Sequence, residues 1–185
     1  MDTKLTGKTR IESDLIGARE IPAEALYGVQ TLRGIENFSI SKFRLSEYPL
    51  FIKGLAITKM AAAMANFELG LLTVEQKDAI IAACGEIIDG KHHDQFPVDM
   101  IQGGAGTTTN MNANEVIANR ALELMGHERG EYQYCSPNDH VNCSQSTNDA
   151  YPTAIHIGMY FKHLQLLPHL EELIASFRKK GEEFS

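Results

Sequence analysis

Apolar residues recur every three to five positions over most of this sequence, which is the spacing of one face of an α-helix. Residues 50–69 show the pattern, with Pro49 in a favoured first-turn position and Gly70 suited to the C-cap. The next helical segment begins at Thr73, which forms a capping-box pattern with Gln76. The periodicity therefore predicts a mainly α fold.

Shorter patterns predict the remaining elements of the N-terminal part. Residues 29–38 and 112–125 are predicted to be helices. Residues 11–27 are interrupted by glycine and proline, which favours one or two short strands or an extended hairpin. The polar residues 1–10 are expected to be disordered or frayed.

Residues 152–185 are unusually apolar for a terminal segment. Pro152 is predicted to start a helix, and Pro168 either opens a new helical run or kinks a continuing one. Since uncovered apolar patches seek partners, we expect this segment to self-associate. The pattern reaches Ser185 without a cap, which predicts a fragment of a longer polypeptide.

Charge and composition argue against several classes of protein. The formal net charge of -7, without a basic run interleaved with aromatics, argues against a nucleic-acid surface. No apolar run reaches the roughly 18 residues that a membrane span needs, and the N-terminus lacks the apolar core of a signal peptide. Cys84, Cys135 and Cys143 form no CxxC pair, which favours a reducing cytoplasm over a disulfide between the last two.

Two polar motifs each lead into a helical pattern: GGAGTTTNMN at residues 103–112 and SQSTND at residues 144–149. A helix N-terminus presents free backbone N–H groups and the positive end of its dipole. Hydroxyl and amide donors ahead of it complete an anion site. The second motif has more consecutive donors than one N-cap requires. The motifs together predict a site for a ligand with one or more anionic groups, held without a metal or a cationic clamp.

Other interpretations of these residues are weaker. The first motif is not a phosphate loop, because Gly106 is followed by threonines, and Thr109 stands where a dinucleotide fingerprint needs its third glycine. A glycine turn followed by a helix cap stays open on spacing alone. His92 and His93 are adjacent and belong to no HxxxH or HExxH spacing, so no metal site is expected.

Long stretches of the chain resemble a known family. QGGAGTTTNMNANEVIANRALELMG (102–126) and SPNDHVNCSQSTNDAYPTAIHI (136–157) resemble the aspartate ammonia-lyases of the aspartase/fumarase superfamily. RIESDLIGAREIPAEALYGVQTLRGIENF (10–38) is similar to the N-terminus of the same family. The resemblance runs from about Arg10 to the end and implies the N-terminal portion of such an enzyme.

Class-II fumarases are the close competitor within the superfamily. They usually show TGSGT, NDDVN and SQSSND at the corresponding places. This chain has GGAGT at 103–107, NDHVN at 138–142 and SQSTND at 144–149. In all three segments it is more similar to the ammonia-lyases. A non-catalytic helical assembly domain, in which the motifs serve only as caps, is the alternative from another class.

The resemblance implies a division into two parts. Residues 1–148 would form an N-terminal helical domain with short β elements near the N-terminus. Residues 149–185 would be the first long helix of a truncated central helical bundle. In this family the bundle builds a homotetramer, whose active sites combine residues from three subunits.

The resemblance also implies a reaction, the reversible deamination of L-aspartate to fumarate and ammonia without metal or organic cofactor. A base removes a proton from the carbon next to the side-chain carboxylate, which becomes an aci-carboxylate dianion before ammonia leaves. Thr107, Ser146, Thr147 and Asn148 match the family's substrate-binding residues. The three hydroxyls are expected at the β-carboxylate, and Asn148 near the substrate amino group.

Two further expectations follow from the family's pattern. Its serine base and the lysine and asparagine that bind the α-carboxylate lie far downstream, so no catalytic base is expected in this chain and the fragment should be inactive alone. Asn138 and Asp139 match a secondary anion site of fumarases. Gln133 and Ser136 stand where that site usually has arginine and histidine, which argues against such a site here.

Overall fold

A computed structural model describes residues 7–185. Its strands are β1 (Thr9–Asp14) and β2 (Gly17–Pro22), and its helices are α1 (Val29–Asn37), α2 (Pro49–Glu68), α3 (Val74–Ile88), α4 (Thr107–Leu124) and α5 (Thr147–Glu183). Shorter helical turns lie at Leu45–Glu47, His93–Gln95 and Pro137–Val141. The predicted mainly α fold, with short β elements near the N-terminus, is therefore confirmed.

The strands form an antiparallel hairpin, one of the alternatives predicted for residues 11–27, with Asp14 opposite Gly17 at the turn. The Arg33 guanidinium of α1 donates to both oxygens of the Asp14 carboxylate at 2.8 Å. These hydrogen bonds hold the pKa of the Asp14 carboxyl below its ordinary value. The ion pair fixes the hairpin against α1.

The expectation of a frayed N-terminus is wrong for Arg10, which lies in β1. The Arg10 guanidinium donates to the carbonyl oxygens of Ala25 at 2.7 Å and of Tyr27 at 2.8 Å. A long side chain with several backbone acceptors explains why this polar segment is ordered. The same expectation for residues 1–6 lies outside the described residues.

Two predicted helices, over residues 29–38 and 50–69, are confirmed to within one residue at each end. At the start of α3, the side chains of Thr73 and Gln76 each accept the other's backbone N–H at 3.1 Å, which is the predicted capping box. Gly70 follows α2 in the left-handed region, with φ of 74°. Local signals were sufficient for these boundaries.

The core lies where α2 packs between α3 and α5, and where α3 packs on α4. Its buried apolar side chains form one cluster that includes Phe51, Ile52, Leu55, Ala63, Ile80, Cys84, Ile87, Val116, Ile117, Ala121 and Leu122. Through this cluster α4 packs mainly on α3, and the first half of α5 packs on α2.

Within the described residues, α2 alone is long and apolar enough to cross a membrane by length and composition. Such a helix is weak evidence for a membrane span, because core helices have the same properties. Ile52, Leu55 and Ala56 of α2 belong to the buried core, and its neighbours are protein helices. We therefore describe α2 as a core helix of this fold.

Helix α4 begins at Thr107, five residues before the predicted start at residue 112. Gly106 precedes it in the left-handed region with φ of 85°. The Gln102 side chain accepts the Thr109 N–H at 2.9 Å and donates to the Thr109 hydroxyl at 2.7 Å. Since this amide caps the first turn from outside the helix, the second half of the glycine-rich motif becomes helical.

Helix α5 begins at Thr147 rather than at Pro152, and Ser146 is its N-cap. Pro152 and Pro168 both lie inside it, so Pro168 does not open a separate helix. From residue 162 onward every side chain is exposed, and the helix extends beyond the helices that pack on its first half. The division of the chain at residues 148 and 149 stays a prediction.

Candidate functional site

The structure brings the two polar motifs together where α4 and α5 begin. The Asn110 side chain of α4 donates to the Thr147 hydroxyl of α5 at 3.3 Å. The ring of Tyr151 covers Gly106, the N-cap residue of α4. An open groove of about 600 Å³ lies beside this junction, and its lining includes Gly104, Gly106, Asn148 and Tyr151. The groove is the candidate site.

The glycine-rich loop has a backbone shape that other residues adopt with difficulty. Gly104 and Gly106 have φ of 73° and 85°, in the left-handed region. This path leads directly into the N-terminus of α4, where the first N–H groups have no partner within the helix. The side-chain oxygen of Gln102 accepts a hydrogen bond from the N–H of Thr109. The N–H groups of Thr107 and Thr108 belong to the same open end of the helix.

The four predicted substrate residues retain unused hydrogen-bond donors. Thr107 is exposed, and its hydroxyl makes no hydrogen bond within the described part of the chain. The Ser146 hydroxyl accepts the N–H of Asn148 at 3.3 Å, and the Thr147 hydroxyl accepts from Asn110. Neither hydroxyl donates to a described residue, nor does the Asn148 side chain. Of these four residues only Asn148 lines the groove, whereas Thr107 directly follows the lining residue Gly106 and Ser146 and Thr147 directly precede Asn148 in the chain.

The N-terminus of α1 provides an internal comparison. The Glu115 carboxylate accepts the backbone N–H groups of Gly28, Gln30 and Thr31 at 2.8, 2.8 and 3.0 Å. Burial raises the pKa of Glu115, and these hydrogen bonds oppose that increase. In this fold, then, an acidic side chain already occupies the start of α1. The start of α4 has no corresponding carboxylate among its described hydrogen bonds, which leaves room for an external one.

Asn138 and Asp139, the residues that match the secondary anion site, lie in the helical turn at Pro137–Val141. The Ser136 hydroxyl accepts the N–H groups of Asn138 and Asp139 at 3.2 and 3.1 Å, and donates to the Asp139 carboxylate at 3.0 Å. The side chains of Asn138 and Asp139 are exposed. These contacts show how the turn at Pro137–Val141 is built. The secondary anion site stays a prediction.

The histidine pair noted in the sequence is also accounted for by structural contacts. His92 pairs with Glu86 through Nε2 at 2.8 Å, and His93 Nε2 lies 2.9 Å from the carbonyl oxygen of Ile87. Over residues 7–185, no group of three or more His, Cys, Asp or Glu side chains could hold a metal ion.

Sequence reasoning missed a buried lysine next to the second motif. Lys59 is fully buried in α2, and its ammonium donates to Asn142 Oδ1 and Gln145 Oε1, each at 2.9 Å. Burial lowers the pKa of Lys59 from its ordinary 10.5 to about 7, against a small opposite effect of Cys84. The signal was present, because Lys59 lies four residues after Leu55 on the buried face of α2.

A buried asparagine connects this lysine to the other helix. Asn110 is 1% exposed, and its Nδ2 donates to Asn142 Oδ1 at 3.0 Å as well as to Thr147. Asparagines 110, 112 and 114 lie inside a helix, where asparagine is a poor choice unless it has a specific role. That run could have indicated a buried polar layer.

Known proteins similar to this chain include lyases. A family model described as "Lyase" matches residues 17–185. The aspartate ammonia-lyase of Pseudomonas canavaninivorans is 59% identical over 176 residues, which are 95% of this chain and 37% of that protein. The chain thus spans little more than a third of the length of the curated relatives it matches.

Solved structures have the same fold over most of the chain. The fumarate lyase:delta crystallin from Brucella melitensis bound to cobalt has a TM-score of 0.93 and 53% identity, covering 95% of this chain and 38% of that one. The class II fumarase from Schistosoma mansoni has a TM-score of 0.76 and 39% identity, covering 82% of this chain and 32% of that one.

Proposed function

Because this chain belongs to the lyase family of the aspartase/fumarase superfamily, we propose that it is the N-terminal part of an aspartate ammonia-lyase. The full protein would convert L-aspartate reversibly to fumarate and ammonia. The observation that carries the proposal is the junction of α4 and α5, where Thr107, Ser146, Thr147 and Asn148 keep unused donors at two helix starts, and where Asn148 lines the adjoining groove.

The chemistry requires donors of this kind. A base takes the proton from the carbon next to the β-carboxylate, and the electron pair of that C–H bond moves into the carboxylate to give an aci-carboxylate dianion. The dianion then returns the pair to form the C=C bond, and the C–N bond breaks as ammonia leaves. A fixed donor aimed at such developing charge is typically worth about 3–4 kcal/mol.

We assign a role to each matching residue. Thr107, Ser146 and Thr147 would donate to the β-carboxylate, where negative charge develops, together with the open N-terminus of α4. Asn148 would orient the substrate near its amino group. These donors are neutral, so they stabilise the dianion through aimed dipoles, with no cation of their own in the groove.

The base and the ligands of the α-carboxylate would lie in the portion of the relatives that this chain does not cover. We therefore propose that the chain is inactive by itself. Complete sites would form in a homotetramer, with the exposed apolar residues of α5 buried between subunits. Those residues include Met159, Leu164, Leu166, Leu167, Leu170, Leu173, Ile174 and Phe177. Residues 152–185 should accordingly self-associate.

The protein would be cytoplasmic. The three cysteines of the chain are free, which fits a reducing cytoplasm.

A class-II fumarase, which forms fumarate from L-malate, is the second candidate, since one neighbouring structure is such an enzyme. Its identity of 39% is lower than the 59% of an aspartate ammonia-lyase, which favours aspartate as the substrate.

The test compares two N-cap substitutions in the complete gene product. Ser146→Ala removes the cap of α5 and a proposed substrate donor, whereas Thr73→Ala removes only the cap of α3. Each should lower the free energy of unfolding by about 1 kcal/mol. Only Ser146→Ala should also lower kcat/KM for L-aspartate, by about 100-fold or more, with the tetramer intact. Equal kinetics in both variants would mean that Ser146 is a cap and nothing else.

A further inference from the structure

We propose that Lys59, buried in α2, is a positioning residue that sets the Thr147 hydroxyl as a hydrogen-bond donor to a bound carboxylate. The proposal rests on the proposed function, because it takes Thr147 to be part of the substrate site. It adds to that function a residue from a different helix, which does not line the groove.

The first step is the contact between α2 and the segment before the second motif. Lys59 is fully buried, and its two hydrogen-bond acceptors are the side-chain oxygens of Asn142 and Gln145. Both are neutral amides, and no carboxylate in the described part of the chain forms an ion pair with Lys59. A buried ammonium without a compensating charge is unfavourable for stability. Its presence therefore calls for a role other than stabilisation.

The second step is the fold of residues 141–145 around this ammonium. With its oxygen held by Lys59, the Gln145 amide nitrogen donates to the carbonyl oxygens of Val141 at 2.8 Å and Cys143 at 3.2 Å. Ser144, which lies between Cys143 and Gln145, has φ of 55°, in the left-handed region that is unfavourable for residues other than glycine. Lys59 thus holds a strained turn that ends one residue before Ser146.

The third step connects Lys59 to Thr147. Asn142 Oδ1 accepts from both the Lys59 ammonium and Asn110 Nδ2, at 2.9 and 3.0 Å. The same Asn110 nitrogen donates to the Thr147 oxygen at 3.3 Å. Because an N–H group already occupies a lone pair of that oxygen, the hydroxyl proton of Thr147 points elsewhere and is available to a ligand.

The arrangement also places a positive charge behind neutral donors. Lys59 is separated from Thr147 by the side chains of Asn142 and Asn110, so the charge of its ammonium acts on the site through the low-dielectric interior and without direct contact. The site can therefore favour a dianion without a cation in direct contact with the substrate.

The experiment uses the complete gene product and a matched pair of lysine variants. Lys59→Met keeps the length of the side chain and removes the charge and the donors. Lys53→Met makes the same change on the same helix, where the ammonium lies over the Phe161 ring, away from the candidate site. Lys59→Met should lower kcat/KM roughly 10- to 100-fold, with a higher KM as well as a lower kcat because Thr147 donates to the carboxylate in both the ground and the transition state, and without lowering the midpoint of thermal unfolding. Lys53→Met should match the parent in both kinetic constants.

A second variant keeps the proposal open to disproof if Lys59→Met does not fold. Asn110→Leu retains volume at a buried position and removes the donor to Thr147. It should lower kcat/KM to a similar extent, and the double variant should lose little more than either single one, because both act in one chain of hydrogen bonds. Parent-like kinetics in either folded variant, or fully additive losses, would overturn the proposal.

The substrate is identified first with the parent protein, so the two proposals fail separately. If the parent uses L-malate instead of L-aspartate, the proposed function is wrong, while the loss caused by Lys59→Met is measured on malate. If the parent turns over neither, fumarate binding is measured by calorimetry, and Lys59→Met must weaken it at least tenfold, in the range expected for such supporting residues.

Discussion

The ring of Tyr151 in α5 lies directly against the backbone of Gly106, the residue that precedes α4. A Cβ atom at position 106 would overlap this ring, and the φ of 85° there is unfavourable for any residue other than glycine. This contact packs the beginning of α4 against the beginning of α5, beside the hydrogen bond from Asn110 to Thr147. We expect the geometry of the candidate site to depend on it.

Replacing this glycine should disturb both stability and catalysis. In Gly106→Ala, the left-handed backbone and the collision with Tyr151 together should lower the free energy of unfolding by about 3 kcal/mol. Since the two helix starts must separate, kcat/KM for L-aspartate in the complete gene product should fall as well. Denaturant unfolding and steady-state kinetics measure the two effects.

Gly126→Ala is the control for the backbone effect alone. Gly126 follows α4 with φ of 82°, and a Cβ atom there would meet no other atom within 4 Å. It should lower the free energy of unfolding by only about 1–2 kcal/mol and leave kcat/KM unchanged. If the two alanine variants behave alike, the contact with Tyr151 does not determine the site.

Acid should weaken the contact between α3 and α4 through Glu86. The Arg120 guanidinium donates to both Glu86 oxygens at 2.6 and 2.8 Å, and together with His92 it lowers the pKa of Glu86 from 4.5 to about 2. The resulting stabilisation is fully present above about pH 4.5 and is lost as the pH falls towards 2. After allowance for solvent screening it amounts to roughly 1–2 kcal/mol.

Glu86→Gln should remove this acid dependence, so its unfolding free energy should approach that of the parent protein near pH 2. Glu183→Gln is the matched control, because Glu183 pairs with Lys180 at 2.6 Å on the exposed end of α5. It should leave the pH profile of stability nearly unchanged. A profile of Glu86→Gln that runs parallel to the parent's over the whole acid range would refute the assignment.

Lys59 should make the protein less stable below neutral pH than above it. Its pKa is about 7 in the folded chain and 10.5 as the ordinary value, so between these pH values the unfolded chain binds more protons. Stability then rises with pH over that window. Below about pH 7 the cost of burying the charge is constant, on the order of 5 kcal/mol before its hydrogen bonds are counted.

The advantage of Lys59→Met over the parent in unfolding free energy should therefore be greater at about pH 6 than at about pH 9.5, by at least ~2 kcal/mol. Titrating groups that do not interact with Lys59 are common to both proteins and cancel in the difference. Equal differences at the two pH values would show that burial does not lower the pKa of Lys59 in the folded protein. A variant that is more stable but less active fits a residue retained for function.

The capping of α1 by Glu115 gives a prediction about a distant part of the fold. The Glu115 carboxylate accepts hydrogen bonds from backbone N–H groups through both of its oxygens. In Glu115→Gln, an NH2 group replaces one of these oxygens, so a donor faces a donor. The free energy of unfolding should fall by about 2–4 kcal/mol, because buried donors lose their partners. Glu75→Gln, at an exposed position in the first turn of α3, should change it by less than about 0.5 kcal/mol.

What could be predicted from the sequence depended on whether the determining contacts were local. The start of α3 was predictable because Thr73 and Gln76 are three residues apart. The start of α4 was not, since Gln102 caps it from the loop and Tyr151 covers Gly106 from another helix. The first contact comes from a loop residue seven positions before Thr109 and the second from a distant helix, and hydrophobic periodicity reports neither.

The same distinction between local and distant contacts applies to the candidate site. Thr107 and the hydroxyls of Ser146 and Thr147 could be proposed as site residues from the density of donors ahead of helices and from the family resemblance, and their role stays a prediction. Lys59 could not be proposed in this way, because its hydrogen bond to Asn142 joins residues 83 positions apart. Within the sequence it is one of two lysines in an apolar helix, and its place on the buried face was only a weak signal until the packing of α2 against the second motif was known.

The most direct test of the central claim is fumarate formation by the complete gene product, followed by ultraviolet absorbance, from L-aspartate and separately from L-malate. We expect fumarate from L-aspartate alone, and we expect Thr107→Val to abolish most of it. Activity with L-malate alone would contradict the claim. In that case the differences from fumarases at residues 103–107 and at His140 do not determine the substrate, and the chain is part of a fumarase.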